Sequence, residues 1–296
     1  MNKLIIIGSG PAGYTAGIYA GRAGLNPLLF AGEKSGGQLM NTTMVENWPG
    51  AKDGVMGPEL MQDLREQAMK FGTKIIDQQV TKVDFKQKPF KVNDLEAESV
   101  IIATGAESIK LNIPGEERLL GRGVAVCAVC DALFYRDKKA VVVGGGDAAA
   151  EDALALTKFA KEVVLVVRRN ELRASKIMQG RVKNNPKIKI LWKSQVTEIL
   201  GENKVEAIKI NNAETMKTDG VFLAIGHKPA TEIFKGKIEM DEAGYIKTLN
   251  NTMTSVSGVF AAGDCVDYRY RQAITAAGMG CQAAIDAERW LENQNI

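Results

Sequence analysis

Residues 3–13 read KLIIIGSGPAG, and residues 139–149 read KAVVVGGGDAA. Each is a short buried-strand run that ends in glycines and opens into a helical pattern. The first continues as a helix over about 13–23 and a strand over 27–30. The second continues as a helix over about 149–159 and a strand over 163–167. Strand, glycine turn, helix, strand is the βαβ setting in which a G-x-G-x-x-G turn lets backbone approach a pyrophosphate at a helix N-terminus. One such turn is weak evidence. Two, each in its proper setting, predict two dinucleotide sites.

The rest of the chain echoes this duplication. Residues 99–105 (SVIIATG) resemble residues 220–226 (GVFLAIG), each an apolar strand that ends in glycine. Between glycine loop and strand, β-like runs occupy 75–85 and 90–92 in the first half. In the second half they occupy 188–192, 195–200 and 205–210. A helix over 58–71 has proline at its first position and Leu60, Met61, Leu64, Ala68 and Phe71 at helical spacing, which reads as core packing. The last third returns to a glycine-ended strand, 258–263, and a helix over 276–291. It is too short for a third domain and is expected to complete the first. The fold class is therefore α/β, with two tandem Rossmann-like three-layer domains, the second inserted into the first. The expected division is 1–111 with 243–296, and 112–242.

Composition narrows the function. The chain has 296 residues, 45% hydrophobic and 25% charged, with a net charge of +3. Near charge balance gives no pull toward nucleic acid or an acidic membrane, and no apolar run is long enough to span a bilayer. The apolar run at the N-terminus is short and ends at Gly8, so it reads as a strand, not an export signal, and a cytoplasmic location is expected. One histidine, His227, makes a histidine-rich metal site or a Ser-His-Asp hydrolase improbable. Of four cysteines, Cys127 and Cys130 form a C-x-x-C pair, which in such a chain means redox or metal chemistry before a structural staple. A zinc site wants four ligands, and only Cys265, Cys281 and His227 remain, scattered along the chain. No metal is expected.

Two charge patterns separate the nucleotide sites. In a Rossmann unit an acid about 20 residues after the glycines takes the ribose 2′-hydroxyl, and basic residues accept a 2′-phosphate. Glu33 holds that place in the first copy, which suits FAD or NAD. Arg168 and Arg169 hold it in the second, with Arg173 close by, which suits NADPH. The cysteine pair stands just ahead of the second glycine loop. Two cysteines three apart can close a disulfide, and the first tends to be the exposed nucleophile. Asp131 follows at once and can exchange a proton with a thiolate. Cys265 and Cys281 read as buried thiols.

These residues resemble the low-molecular-weight, bacterial type of thioredoxin reductase over essentially the whole chain. The matching stretches are GSGPAG at 8–13, GGQL at 36–39, VENWPG at 45–50, ATG at 103–105 and CAVCD at 127–131. They continue with GGGD at 144–147, RRNELRASK at 168–176, AIGHKP at 224–229, GVFAAGD at 258–264 and YRQAITAA at 270–277. The chain departs from the family pattern at Val167, where histidine is usual, at Val129, where threonine is commoner, at Ala132, where glycine is usual, and at Cys265, where valine is common.

The resemblance implies an NADPH-dependent FAD enzyme that reduces the disulfide of thioredoxin and works as a homodimer. FAD is expected on Gly8, Gly10, Pro11, Ala12, Gly13, Gly32, Glu33, Lys34, Gly36, Gly37, Gln38, Asn47 and Val80. Ala103, Thr104, Gly105, Gly263, Asp264, Arg271, Gln272 and Ala273 complete that set. NADPH is expected on Gly144, Gly146, Asp147, Ala148, Arg168, Arg169, Arg173, Ile225 and Gly226. By the same resemblance Cys130 faces the flavin, Cys127 attacks thioredoxin, and Asp131 serves as the acid. The cysteine pair and the nicotinamide site both belong to the inserted domain, yet both must reach one flavin. A swing of that domain is therefore expected, about crossings near 110–114 and 240–245. Nothing in the sequence separates thioredoxin from another redoxin as acceptor.

Overall fold

The computed structural model describes residues 1–294. The chain divides into two compact units, Met1–Glu107 with Lys228–Ile296, and Ser108–His227. In chain order the first unit opens with β1 (Asn2–Ile7), α1 (Pro11–Arg22), β2 (Leu28–Phe30), β3 (Met44–Val45), β4 (Val55–Met56) and α2 (Gly57–Lys70). It continues with β5 (Lys74–Ile76), β6 (Val83–Asp84), β7 (Phe90–Val92), β8 (Leu95–Ile102) and β9 (Ala106–Ser108). The second unit holds β10 (Val124–Ala125), α3 (Ala128–Asp131), β11 (Lys139–Val143), α4 (Asp147–Leu156), β12 (Glu162–Val167) and α5 (Lys176–Lys183). Then come β13 (Ile188–Trp192), β14 (Val196–Leu200), β15 (Ala207–Ile210), β16 (Glu214–Lys217) and β17 (Gly220–Leu223). The chain returns through β18 (His227–Pro229) to β19 (Val259–Ala261) and α6 (Ala273–Gln294).

The two units share one sheet plan. In the first, β5, β2, β1 and β8 run parallel in that order. β19 pairs parallel with the second half of β8, and β7 pairs antiparallel with its first half. In the second, β13, β12, β11, β17 and β10 run parallel in the matching order. The strands read as unbroken apolar runs because both sheet faces are covered. Leu4 and Ile6 pack under α1, α2 and α6, while Ile5 and Ile7 pack on the other face with Val83, Phe85 and Phe90. In the second unit Val142, Leu165 and Phe222 face the helices, with Ala150 and Leu156 of α4. Val141, Val164 and Val221 face Ile199 and Ile208 of the antiparallel sheet β14–β15–β16. Each unit is thus helices, parallel sheet and an antiparallel β layer. The expected α/β class with two Rossmann-like domains is borne out.

Element edges move in informative ways. The run expected over 75–85 is two strands, β5 at the sheet edge and β6 pairing with β7. The helix expected over 149–159 starts earlier, at Asp147, directly after the glycine turn. The first unit breaks off at Glu107 and resumes at Lys228, against the expected 111/112 and 242/243. Its second segment starts at Lys228 because Phe234 and Ile238 are buried in its core, with Phe234 stacked on Phe85, 6.2 Å between ring centroids. The two crossings are β9 and β18, which pair with each other.

Backbone closeness fixes the glycine turn in the first unit. Gly8 has φ +115°, and a Cβ there would sit 2.2 Å from the Ala103 carbonyl oxygen. A Cβ on Gly13 would sit 2.0 Å from the carbonyl oxygen of Gly8. The turn therefore closes only if α1 rests directly on the strand end. Gly13→Ala should lower stability by about 1–3 kcal/mol, the usual cost of overpacking. Thermal denaturation followed by circular dichroism checks this, and a variant that melts at the wild-type temperature would contradict it.

Candidate functional site

Parallel pairing gathers the expected first-unit residues at one edge. β2, β1, β8 and β19 are neighbours in parallel, so the segments after them all emerge at the carboxyl end of one sheet. Those segments carry Gly8–Gly13, Gly32–Gln38, Ala103–Gly105 and Gly263–Asp264. Such an edge is where open α/β sheets bind ligands. Asn47 Nδ2 donates to Gln272 Oε1 at 3.4 Å, which draws the VENWPG stretch to the 271–273 turn. Gln38 Nε2 donates to the Ala106 carbonyl at 3.1 Å. Val80 also follows an edge strand, β5, but its side chain is buried in the core, so only its backbone is available. Glu33 and Lys34 are exposed beyond β2.

Two atoms at this edge lack partners. Thr104 Oγ1 and Asp264 Oδ1 are buried without a hydrogen bond among the described residues. An unpaired buried polar atom is costly, so the pair is built to meet polar groups from outside the chain. Burial, reinforced by the negative charge of Asp267, pushes the Asp264 carboxyl up to about 6. A Cβ added at Gly10 or Gly105 would meet nothing within 4 Å, so there is open space over the glycine turn. Orphaned buried oxygens, open backbone and a helix N-terminus together fit a ligand with hydroxyls and phosphates, as a flavin dinucleotide has.

Sequence reasoning missed Ser9. Its hydroxyl donates to the Ala31 carbonyl at 2.7 Å and accepts from Gly36 N at 3.0 Å. One buried hydroxyl thereby ties the glycine turn to the end of β2 and to the GGQL turn. A serine in a variable position of a glycine motif carries no signal of this. Asp267 was missed too. Its carboxylate accepts from the backbone N of Arg269, Tyr270 and Arg271, and holds Arg271 at φ +47°.

The second unit repeats the arrangement. Gly144–Ala148 follow β11, Arg168 and Arg169 follow β12, and Ile225 and Gly226 follow β17, all at one carboxyl edge. Arg173 N donates to the Gly145 carbonyl at 2.7 Å, which folds the third arginine back over the turn. All three arginines are exposed, and among the described residues none is in a salt bridge. Val167 is buried in the core beside Leu172, so the departure at this position lies inside the unit.

The cysteine pair shares that edge. β10 pairs parallel with β17, and Cys127 emerges just after it. Cys127 and Cys130 form a disulfide, with Cα atoms 5.4 Å apart. Cys127 caps the short α3, and its Sγ accepts from Cys130 N at 3.2 Å. A backbone N–H aimed at sulfur favours a thiolate there once the bond is reduced. Asp131 N donates to the Cys127 carbonyl at 3.2 Å, and burial pushes the Asp131 carboxyl up to about 6. Around the pair stand exposed apolar side chains: Val129 at 72%, Leu133 at 45% and Phe134 at 38%. Of the other thiols, Cys265 is fully buried, its Sγ 3.3 Å from the Ala262 carbonyl. Cys281 is only partly buried on α6, contrary to the expectation of a buried thiol. Among the described residues no three His, Cys, Asp or Glu side chains gather as a metal site.

The model of the family described as "Pyridine nucleotide-disulphide oxidoreductase" matches residues 2–280. The chain belongs to the pyridine nucleotide-disulphide oxidoreductase family. Among its relatives is a thioredoxin reductase of Rickettsia bellii, 52% identical over 98% of each chain. Another is a thioredoxin reductase of Streptomyces clavuligerus, 50% identical over 98% of this chain and 94% of the relative. Among solved structures, the thioredoxin reductase from Streptococcus pyogenes superposes with a TM-score of 0.93 at 41% identity, covering 99% of this chain and all of that one. For this pyridine nucleotide-disulphide oxidoreductase, the resemblance drawn from the motifs is borne out.

The Asp131 carboxyl gives a pH signature. Its folded value of about 6 lies above the ordinary 3.8. Between those values the unfolded chain ionises Asp131 while the fold keeps it protonated. Stability is therefore lost as pH rises through this window, and the cost is complete above it. Asp131→Asn removes that cost, which amounts to about 2–3 kcal/mol. The variant should melt above the wild type beyond pH 6 and alongside it near pH 4. Parallel melting curves from pH 4 to pH 8 would show that the carboxyl is not held neutral.

Proposed function

We propose that this chain is an NADPH-dependent thioredoxin reductase that carries FAD on its first unit. The observation that carries the reading is a disulfide set on the same sheet edge as a glycine turn flanked by arginines that, among the described residues, are in no salt bridge. When bound, FAD and NADPH supply the two reducing equivalents that open the Cys127–Cys130 bond. Backbone at Gly8–Gly13 and the buried oxygens of Thr104 and Asp264 hold the flavin nucleotide. The glycines at 144–146 and the backbone of Ala148 hold the second pyrophosphate, and Arg168, Arg169 and Arg173 take the 2′-phosphate.

Once reduced, Cys127 is the nucleophile, since the Cys130 N–H favours its thiolate. Cys127 Sγ attacks one sulfur of the thioredoxin disulfide, which breaks to leave a mixed disulfide and one free thiolate. Cys130 Sγ then attacks Cys127, re-forming the internal disulfide and releasing the second thioredoxin sulfur. Asp131 supplies a proton to a departing thiolate. Val129, Leu133 and Phe134 give the incoming protein an apolar surface at the disulfide.

Because one edge of the second unit carries both the disulfide and the nucleotide loops, two orientations are needed to present each to a flavin on the first unit. The movement is taken up at β9 and β18, the paired crossings, in place of 110–114 and 240–245, which lie inside the units. An engineered cross-link between the units should stop turnover; a linked enzyme at full rate would refute the movement. A homodimer and a cytoplasmic location, where thiols are kept reduced, fit the same reading. Among the described residues no helix is long and apolar enough to cross a membrane.

The test is an assay of the purified, FAD-loaded chain on thioredoxin with NADPH or NADH as donor. Thioredoxin should be reduced with NADPH far faster than with NADH. A chain that oxidises NADPH but leaves thioredoxin disulfides intact would sink the assignment.

A further inference from the structure

Asp147 stands at the start of α4, where the glycine turn ends, with its carboxylate exposed. A carboxylate at the mouth of an anion site repels phosphate unless it does something else. Here Asp147 Oδ1 accepts a hydrogen bond from Ser175 N at 2.9 Å. Ser175 closes the loop that carries Arg168, Arg169 and Arg173. The same loop is held by Arg173 N and Ala174 N, both donating to the Gly145 carbonyl at 2.7 and 3.1 Å. From its other side, Gln179 Nε2 donates to the carbonyls of Leu172 and Ala174. Lys193 N donates to the Arg169 carbonyl. The arginine side chains are exposed, so backbone ties alone shape their display. The Ser175 hydrogen bonds hold the Asp147 carboxyl below the usual carboxylate range, so it is ionised and a strong acceptor at neutral pH.

We propose that Asp147 is a positioning residue that clamps the arginine loop to the glycine turn, and thereby sets the preference for a 2′-phosphorylated dinucleotide. The proposal rests on the NADPH reading above and deepens it. Asp147 then acts through the loop and not on the nucleotide. Glycine turn and arginine loop are locked as one piece, so the pyrophosphate and the 2′-phosphate are met at a fixed separation.

The probes are 2′,5′-ADP and 5′-AMP, titrated by calorimetry into the FAD-loaded protein. Asp147→Ala should weaken 2′,5′-ADP about tenfold, the scale of one hydrogen bond to a charged group. Binding of 5′-AMP should stay within about twofold. Loss of a negative charge by itself would tighten both ligands, so the expected change runs against simple electrostatics. Asp147→Asn keeps an acceptor oxygen and should recover most of the affinity. Ser175→Pro attacks the same bond from the donor side, since Ser175 has φ −57°, a value proline adopts. It serves if Asp147→Ala does not fold, and it should weaken 2′,5′-ADP to the same degree. Backbone amide exchange at 173 and 174 should rise in both. Equal weakening of the two ligands, no weakening, or an Asn variant as poor as the Ala variant would each overturn the clamp. A wild-type chain that binds 5′-AMP as tightly as 2′,5′-ADP would instead fail the NADPH reading, and this is seen before any substitution is made.

Discussion

Cys130→Ser should abolish thioredoxin reduction, a loss of at least about 10³-fold in turnover, because no sulfur remains to resolve the mixed disulfide. The nucleotide loops are untouched by the change, so NADPH should still bleach the flavin absorbance of the variant. Cys127 keeps its place after β10 and remains able to attack. Incubation with oxidised thioredoxin should therefore accumulate a covalent complex, visible on a non-reducing gel and released by dithiothreitol. Cys127→Ser should give no such complex. The two variants thus separate the attacking sulfur from the resolving one. Sustained turnover in Cys130→Ser, or a complex formed equally by both, would show that the roles of the pair are misassigned.

Arg168→Ala with Arg169→Ala should raise KM for NADPH about 10²-fold and leave KM for NADH within about threefold. The physical reason is local. Both guanidinium groups follow β12, beyond the glycine turn after β11, and neither is in a salt bridge among the described residues. Being exposed, they act through a screened field. The wild-type KM for NADPH should accordingly climb with ionic strength, and this dependence should flatten in the double variant. Steady-state kinetics with both donors at two salt concentrations checks it. Equal effects on NADPH and NADH would mean the charges read the pyrophosphate and not the 2′-phosphate.

What could be read from the sequence was short-range chemistry. Both glycine turns, the arginine pair and C-x-x-C lie within single stretches of chain, and their residue types suit only a few chemistries. Long-range packing was hidden. Phe234 belongs with Phe85 across the whole inserted unit, so the first unit resumes at Lys228, ahead of the expected 242/243. The hairpin β3–β4 has only two residues in each strand, too few for a periodicity to register. Ser9 and the loop contact of Asp147 were opaque for another reason. Each works through a partner well along the chain, Gly36 and Ser175 respectively, and no residue type announces such a bond. Val167 shows the reverse case, a departure from the family pattern that carries little weight once its side chain is seen in the core.

The interleaved layout has a consequence for synthesis on the ribosome. The inserted unit is complete once residue 227 has emerged, and it can fold while the rest is still being made. The first unit cannot. Until β19 arrives, half of the β8 edge has no strand against it, and until α6 arrives, the Ala12 side of α1 is bare. Gly263, Asp264 and the 271–273 turn are also among the last residues translated. On the flavin site proposed above, flavin capture is thus a finishing step for a nascent chain whose redox half is already folded.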